Sequence, residues 1–278
     1  MDVGIGLPNG IPGTEGRKLV EWARRSERRG FTTLGAIDRL AYENYEPLIA
    51  LSAAAAVTER IGLCTSALLM PLRANASALA KQALSLQALS DGRLVLGVGI
   101  GERETDFEVA AASMARRGVV IDGMLARMQE LWEGGEIGPS TSPPAVLVGG
   151  RVDASFERGA RFGAGWIAGG VAPEEFATLA KKARAAWRRA GREESPRLVA
   201  AVYHSLGDDP SGGAYLRDYY AWLGQDAARG IAAHTPKDAD AVRDCSASFE
   251  AAGCDELIFL PCTNDPDEVD RLADAIRL

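Results

Sequence analysis

Short β-branched or apolar runs alternate with Ala-, Leu- and Arg-rich segments of helical period along the whole chain, and this alternation constrains the fold more than any other feature. It is the pattern of parallel strands joined by crossover helices. Runs at residues 3–7, 32–37, 61–69, 94–98, 145–148, 165–168, 198–204 and 256–260 make eight strands. Between them, Gly16–Arg29 reads as a helix stopped by Gly30, and residues 78–89 as one stopped at the Asp91-Gly92 turn. Eight strand-helix units in 278 residues match the size of one barrel, about 250 residues. The expectation is an α/β chain forming a (β/α)8 TIM barrel, one domain over residues 1–278.

Composition sets the outer limits on function. With 47% hydrophobic and 25% charged residues, the chain is near the globular average, and no run approaches the roughly 18 apolar residues of a membrane span. A net charge of -7 argues against general nucleic-acid or anionic-membrane binding, which needs a positive surface to displace counterions. Cys64, Cys245, Cys254 and Cys262 form no C-x-x-C pair, and His204 and His234 are far apart, so neither a metal site nor a disulfide framework is expected. Residues 1–10 carry no basic, cleavable leader, which predicts a cytoplasmic location. Residues 134–144 and 207–213 read as surface loops. In the run Arg24-Arg25-Ser26-Glu27-Arg28-Arg29, the arginines fall opposite Leu19, Trp22 and Ala23 and read as a solvated helix face.

In a barrel of this kind the chemistry gathers at the C-terminal strand ends, where loops vary without disturbing the core. Those ends hold Asp38-Arg39, Ser66 to Pro71, Gly99 to Arg103, Gly149-Gly150-Arg151 and His204-Ser205, among others. Gly97-Val98-Gly99-Ile100-Gly101 lacks the spacing of a dinucleotide fingerprint. Its glycines either admit a flat ring close to the backbone or make a tight turn.

Several pieces then carry a resemblance: Glu46-Pro47-Leu48, Thr58-Glu59-Arg60-Ile61-Gly62-Leu63, Pro71-Leu72-Arg73, Leu89-Ser90-Asp91-Gly92-Arg93-Leu94 and Gly97 to Gly101 in the first half. In the second half Pro143-Pro144-Ala145-Val146-Leu147-Val148-Gly149-Gly150 and Ala160-Arg161-Phe162-Gly163-Ala164-Gly165-Trp166-Ile167 follow in order. Together they resemble the bacterial luciferase-like family of flavin monooxygenases. The resemblance implies reduced FMN as cofactor, O₂ as oxidant and a small organic molecule as substrate, with hydride delivered to the flavin by a separate flavin reductase as partner or directly. It also implies a homodimer, for which the apolar-rich helices at residues 47–57 and 76–89 are candidates. On the same barrel, the 8-hydroxy-5-deazaflavin coenzyme would make the chain a dehydrogenase or reductase, and a flavin-binding protein without turnover is a third reading.

By the same resemblance, Ser66-Ala67 is a non-proline cis peptide under the flavin, and Gly99 and Ile100 are expected among the cofactor-binding residues. Ile100 stands where luciferase has an arginine. Asp38-Arg39 stands where relatives often carry Asp-His. Histidine shuttles protons near neutral pH, whereas arginine stays charged and only donates hydrogen bonds or stabilises an anion. Asp38 is thus a candidate base or half of an ion pair. Glu102 matches a proton donor of deazaflavin-dependent relatives, or else joins Arg103 and Glu104 in a solvated cluster. His204 is a pocket acid/base or a rim histidine. Gly149, Gly150, Arg151 and Val152, before a helix at residues 153–161, suit a phosphate, since a glycine turn opening into a helix offers N–H donors and a favourable dipole. Ser155 matches a hydroxyl contact to that phosphate.

Overall fold

The computed structural model describes every residue except Ala74 and residues 208–210, and every described side chain except that of Ser211. The apolar runs become β1 (Asp2–Gly6), β2 (Thr33–Ala36), β3 (Gly62–Thr65), β4 (Leu68–Leu69), β5 (Leu94–Gly99), β6 (Ala145–Gly149), β7 (Gly165–Gly169), β8 (Arg197–His204) and β9 (Glu256–Pro261). All pair in parallel, in the order β3-β2-β1-β9-β8-β7-β6-β5-β4. β3 also pairs with β5, Leu63 with Leu94 and Cys64 with Val95, so the sheet closes on itself. β3 and β4 are two halves of one barrel strand, separated by Ser66 and Ala67, whose peptide bond is cis. The fold is therefore the eight-stranded parallel barrel of a (β/α)8 domain, with each strand end within one residue of the sequence reading.

Strands covered on both faces read as continuous apolar runs, and the period of two sorts their side chains between two cores. Leu147, Ile167, Val199, Ala201, Ile258 and Leu260 fill the barrel interior. Their neighbours Val146, Val148, Trp166, Ala168, Leu198, Ala200, Leu257 and Phe259 pack outward against the helices. Gly97 is needed where strands meet most closely: a Cβ there would stand 2.0 Å from the Thr65 carbonyl oxygen.

The surrounding helices are α1 (Gly16–Arg29), α2 (Pro47–Ala55), α3 (Ala76–Leu89), α4 (Glu104–Val109), α5 (Arg117–Gly134), α6 (Asp153–Phe162), α7 (Pro173–Arg189), α8 (Ser211–Tyr219), α9 (Gln225–His234), α10 (Ala239–Ala251) and α11 (Asp267–Ile276). α1 buries Leu19, Trp22, Ala23 and Ser26. Its arginine face is only partly solvated, because Arg25 binds Asp267 and Asp270, and Arg29 binds Asp270 and Asp274, tying α1 to α11. The Ser90 to Leu94 motif is a structural bolt: Arg93 donates to the carbonyls of Ser90 and Ile61 at 2.7 Å and of Thr58 at 2.9 Å, fixing the start of β5 against that of β3.

Of the loop expected at residues 207–213, residues 208–210 lie outside the described residues, and α8 takes over from Ser211. α8 matters for the site, since its Tyr215, Leu216 and Tyr219 join the core inside the barrel. They close its mouth from above. Among the described residues, no helix is long and apolar enough to cross a membrane.

Candidate functional site

A cavity of about 270 Å³ opens at the C-terminal strand ends, near the lower end of the size range of small-molecule sites, roughly 300–1,000 Å³. Asp38 and Arg39 reach it from the end of β2, Ser66 and Ala67 from the break between β3 and β4, and Ile100 and Glu102 from the turn after β5. Five glycines line it as well: Gly99, Gly101, Gly149, Gly150 and Gly169. A Cβ on Gly169 would meet nothing within 4 Å, so part of the wall is bare backbone facing open space. Such a wall suits a flat ring.

The polar groups of the cavity are mostly committed to one another. Asp38 is buried, and its Oδ2 accepts from Arg73 Nη1 at 2.6 Å and from the Leu69 amide at 2.8 Å, while Arg73 also binds Glu46 at 3.0 Å. Burial lifts the Asp38 carboxyl above its ordinary range, against the pull of Arg73 and the Leu69 amide. Asp106, also buried, accepts from the amides of Ala41 at 2.7 Å and Leu40 at 3.2 Å, and lies 3.7 Å from Arg103. Glu102 is exposed on the cavity's edge.

Arg39 differs from these groups. It is 8% exposed, and its Cζ lies 4.4 Å from the centre of the Tyr42 ring and 4.2 Å from that of Tyr219. Nη1 donates to the Tyr219 carbonyl, whereas Nε has no hydrogen-bond partner. Around it gather five of the six tyrosines of the chain, Tyr42, Tyr203, Tyr215, Tyr219 and Tyr220, in ring-to-ring contacts of 5.1 to 6.4 Å. Burial raises all five phenols above their usual range, so they stay protonated at neutral pH.

Gly150 has φ +132°, a conformation open to glycine, and lies on the cavity just before α6. The N-cap of α6, Val152, gives no side-chain cap; the Ser155 amide donates to the Val152 carbonyl at 2.9 Å, and the amides of Asp153 and Ala154 are left to an outside acceptor. Arg151 and Val152 are exposed beside this turn and do not line the cavity. Arg151 donates instead to the carbonyls of Gly169 and Gly170 at 3.0 and 3.1 Å. Ser155 is buried one turn into α6, with its hydroxyl donating to the Val152 carbonyl at 2.6 Å.

His204 is not a cavity residue, which corrects the strand-end expectation. It is fully buried behind β8, with Nδ1 3.1 Å from the Leu260 carbonyl oxygen and Nε2 3.7 Å from Glu268 of α11. Burial pushes its pKa down to about 4, so the ring is neutral at pH 7. The sequence reading also assigned no role to Arg73, Arg103, Asp106, Tyr219, Tyr220 or Trp222. The first lay in the quoted Pro71-Leu72-Arg73 piece; the tyrosine pair has no motif around it. Among the described residues no group of side chains could hold a metal ion, and all four cysteines are free thiols.

Comparison with known proteins sets this geometry among relatives. An uncharacterized Mycobacterium tuberculosis protein is 34% identical over 162 residues, or 53% of this chain and 56% of the relative. A second from the same organism is 32% identical over 174 residues, 56% of this chain and 60% of the relative. The chain thus matches little more than half the length of these curated relatives. Among solved structures, an F420-dependent secondary alcohol dehydrogenase superposes with a TM-score of 0.81 at 17% identity, covering 100% of this chain and 99% of that one. The monooxygenase RslO1 from Streptomyces bottropensis superposes with a TM-score of 0.78 at 22% identity, covering 100% and 97%. Likeness at this identity speaks for the fold, but the family model described as luciferase-like monooxygenase matches residues 1–255, and the chain belongs to that family.

Proposed function

We propose that this protein is a monooxygenase that uses reduced FMN and O₂ on a small organic substrate. The observation that carries this reading beyond an oxidoreductase of the family is Arg39. Relatives often carry histidine at this position, and an arginine caught between two tyrosine rings cannot take the part of that proton shuttle in hydride transfer to or from a carbonyl.

The residues present suit a flavin. The backbone wall of Gly99, Gly149 and Gly169, with Ser66 and Ala67, would lie against the ring, and the Gly150 turn before α6 would receive the phosphate. Arg151, Val152 and Ser155 flank that turn. When bound, reduced FMN supplies two electrons to O₂, so that one oxygen atom enters the substrate and the other leaves as water. The chain's own part is to position and to exclude water. Tyr219, Tyr220 and Trp222 cover the cavity, Asp38 is the buried carboxyl with a raised pKa that can hold a proton beside it, and Glu102 stands at its edge. The same reading includes a separate flavin reductase as partner and a cytoplasmic location. It also includes a homodimer through α2 and α3, where Ile49 and Leu89 are 67% and 71% exposed.

The test is to load the protein anaerobically with reduced FMN or with the reduced deazaflavin coenzyme and then admit O₂. The reading expects FMN to bind and O₂ to be consumed by the bound form. Saturation by deazaflavin with no FMN binding would replace it with hydride transfer, and binding without any substrate-dependent oxidation would leave a flavin carrier.

A further inference from the structure

The cavity is lined by three acids, Asp38, Glu102 and Asp106, and by two arginines, and what stands out among them is one cation with no ion pair of its own. Asp38 is matched by Arg73, and Asp106 by two amides and Arg103. Asp218, the acid nearest the tyrosine cluster, accepts from Tyr42 at 2.7 Å. Arg39 is left without an ion pair among the described residues, although it is more than nine-tenths buried. Arg103, although 3.7 Å from Asp106, keeps its Nε and Nη1 buried without hydrogen-bond partners. A buried cation with idle N–H groups is costly unless an anion completes it.

The shape of Arg39 says which kind of anion. Rings stand over its guanidinium at 4.4 and 4.2 Å, so only the edge is open to a ligand. The Tyr219 carbonyl takes Nη1, and the idle part of the edge is Nε, which is buried and has no hydrogen-bond partner. A planar guanidinium edge matches a planar carboxylate through two parallel N–H···O bonds. Next to it on the cavity are Tyr219, Tyr220 and Trp222, which suit an apolar or aromatic body.

We infer that Arg39, assisted by Arg103, is a specificity site for the carboxylate of an aromatic or similarly flat apolar substrate. The inference rests on the proposed function only in calling this ligand the substrate. Arg39 then explains the departure from histidine at this position: the site holds a charge where a proton shuttle would stand.

The experiment is calorimetric titration of the protein, with and without FMN, against benzoate and its uncharged analogue benzamide. Wild type should prefer benzoate by about tenfold or more, as expected of charge-assisted hydrogen bonds. Arg39→Gln and Arg103→Gln should each bring the two ligands to within about threefold, leaving benzamide unchanged, while Arg28→Gln on the exposed face of α1 should alter nothing. Equal binding of the two ligands by wild type, or a preference that survives both cavity substitutions, would overturn the inference. Arg39 also ties down Tyr219, so circular dichroism must accompany the variants; if one unfolds, the other decides, and if both do, the wild-type preference decides. The FMN-free arm separates the two readings, because benzoate preference without FMN binding keeps the carboxylate site and removes the flavin.

Discussion

Replacing Gly150 with alanine tests the phosphate turn more sharply than removing any donor. At φ +132° an L side chain is strained, at a cost of about 1–3 kcal/mol. The new Cβ would also lie 2.7 Å from Ser155 Cβ and 2.8 Å from its Oγ. Ser155 is buried, and moving it breaks the 2.6 Å bond to the Val152 carbonyl, adding about 1 kcal/mol. The turn therefore faces a total of about 2–4 kcal/mol, which it relieves by shifting away from its present path. A shifted turn carries its amides with it, so FMN affinity should fall by about thirtyfold or more. Riboflavin, which has the ring and lacks the phosphate, should change by less than about threefold. Whatever strain remains appears as a fall in Tm of about 2–4 °C per kcal/mol. Adding Ser155→Gly removes the contact but not the φ strain, and should restore only part of the loss. The assay is parallel titration of both ligands with a melting curve for each variant. Unchanged FMN affinity, or equal weakening of FMN and riboflavin, would refute the reasoning.

Three further outcomes follow from the same geometry. Arg73→Met strips the partner from a carboxyl whose side chain is 3% exposed, and should cost about 3–5 kcal/mol in urea melts, most of it recovered by adding Asp38→Asn. Loss of Arg73 also removes the charge that restrains the Asp38 pKa, so any activity limb that needs ionised Asp38 should move to higher pH. His204 has a pKa lowered from 6.5 to about 4, so between these values the unfolded chain takes up a proton that the folded chain does not. Stability should fall as pH drops through that window, by at most about 3 kcal/mol, and melts of His204→Gln at about pH 7.5 and pH 5 should show a flatter dependence than wild type.

The fold was legible because parallel, doubly covered strands leave unbroken apolar runs, and searching their C-terminal ends brought Asp38, Arg39, Ser66, Glu102 and Gly150 onto one cavity. What the search did not weigh was parity. Val199, Ala201 and Tyr203 share one face of β8 and turn toward the barrel interior. His204 is on the other face and ends beneath α11. Counting by twos along residues 198–204 would have separated them. Ser155 lies against the glycine turn, but it is buried there and its hydroxyl donates to the Val152 carbonyl. Arg103 stood on the strand-end list and Arg73 in a quoted piece, but the tyrosine cluster was beyond local reading. Tyr219 comes to the cavity from the end of α8, 180 residues from Arg39, and only closure of the barrel sets the two side by side.

The central claim is that a flat redox cofactor lies against the bare backbone of this cavity, and Gly169→Leu tests it most directly. No positive φ restricts this position, and a Cβ there meets nothing within 4 Å, so the leucine enters open space and the fold should keep its melting temperature. The measurement is anaerobic titration of wild type and Gly169→Leu with reduced FMN and reduced riboflavin. The account predicts that the variant loses both ligands by about tenfold or more, since the ring itself is displaced whether or not a phosphate is attached. Undiminished binding of both to a folded Gly169→Leu protein would contradict it.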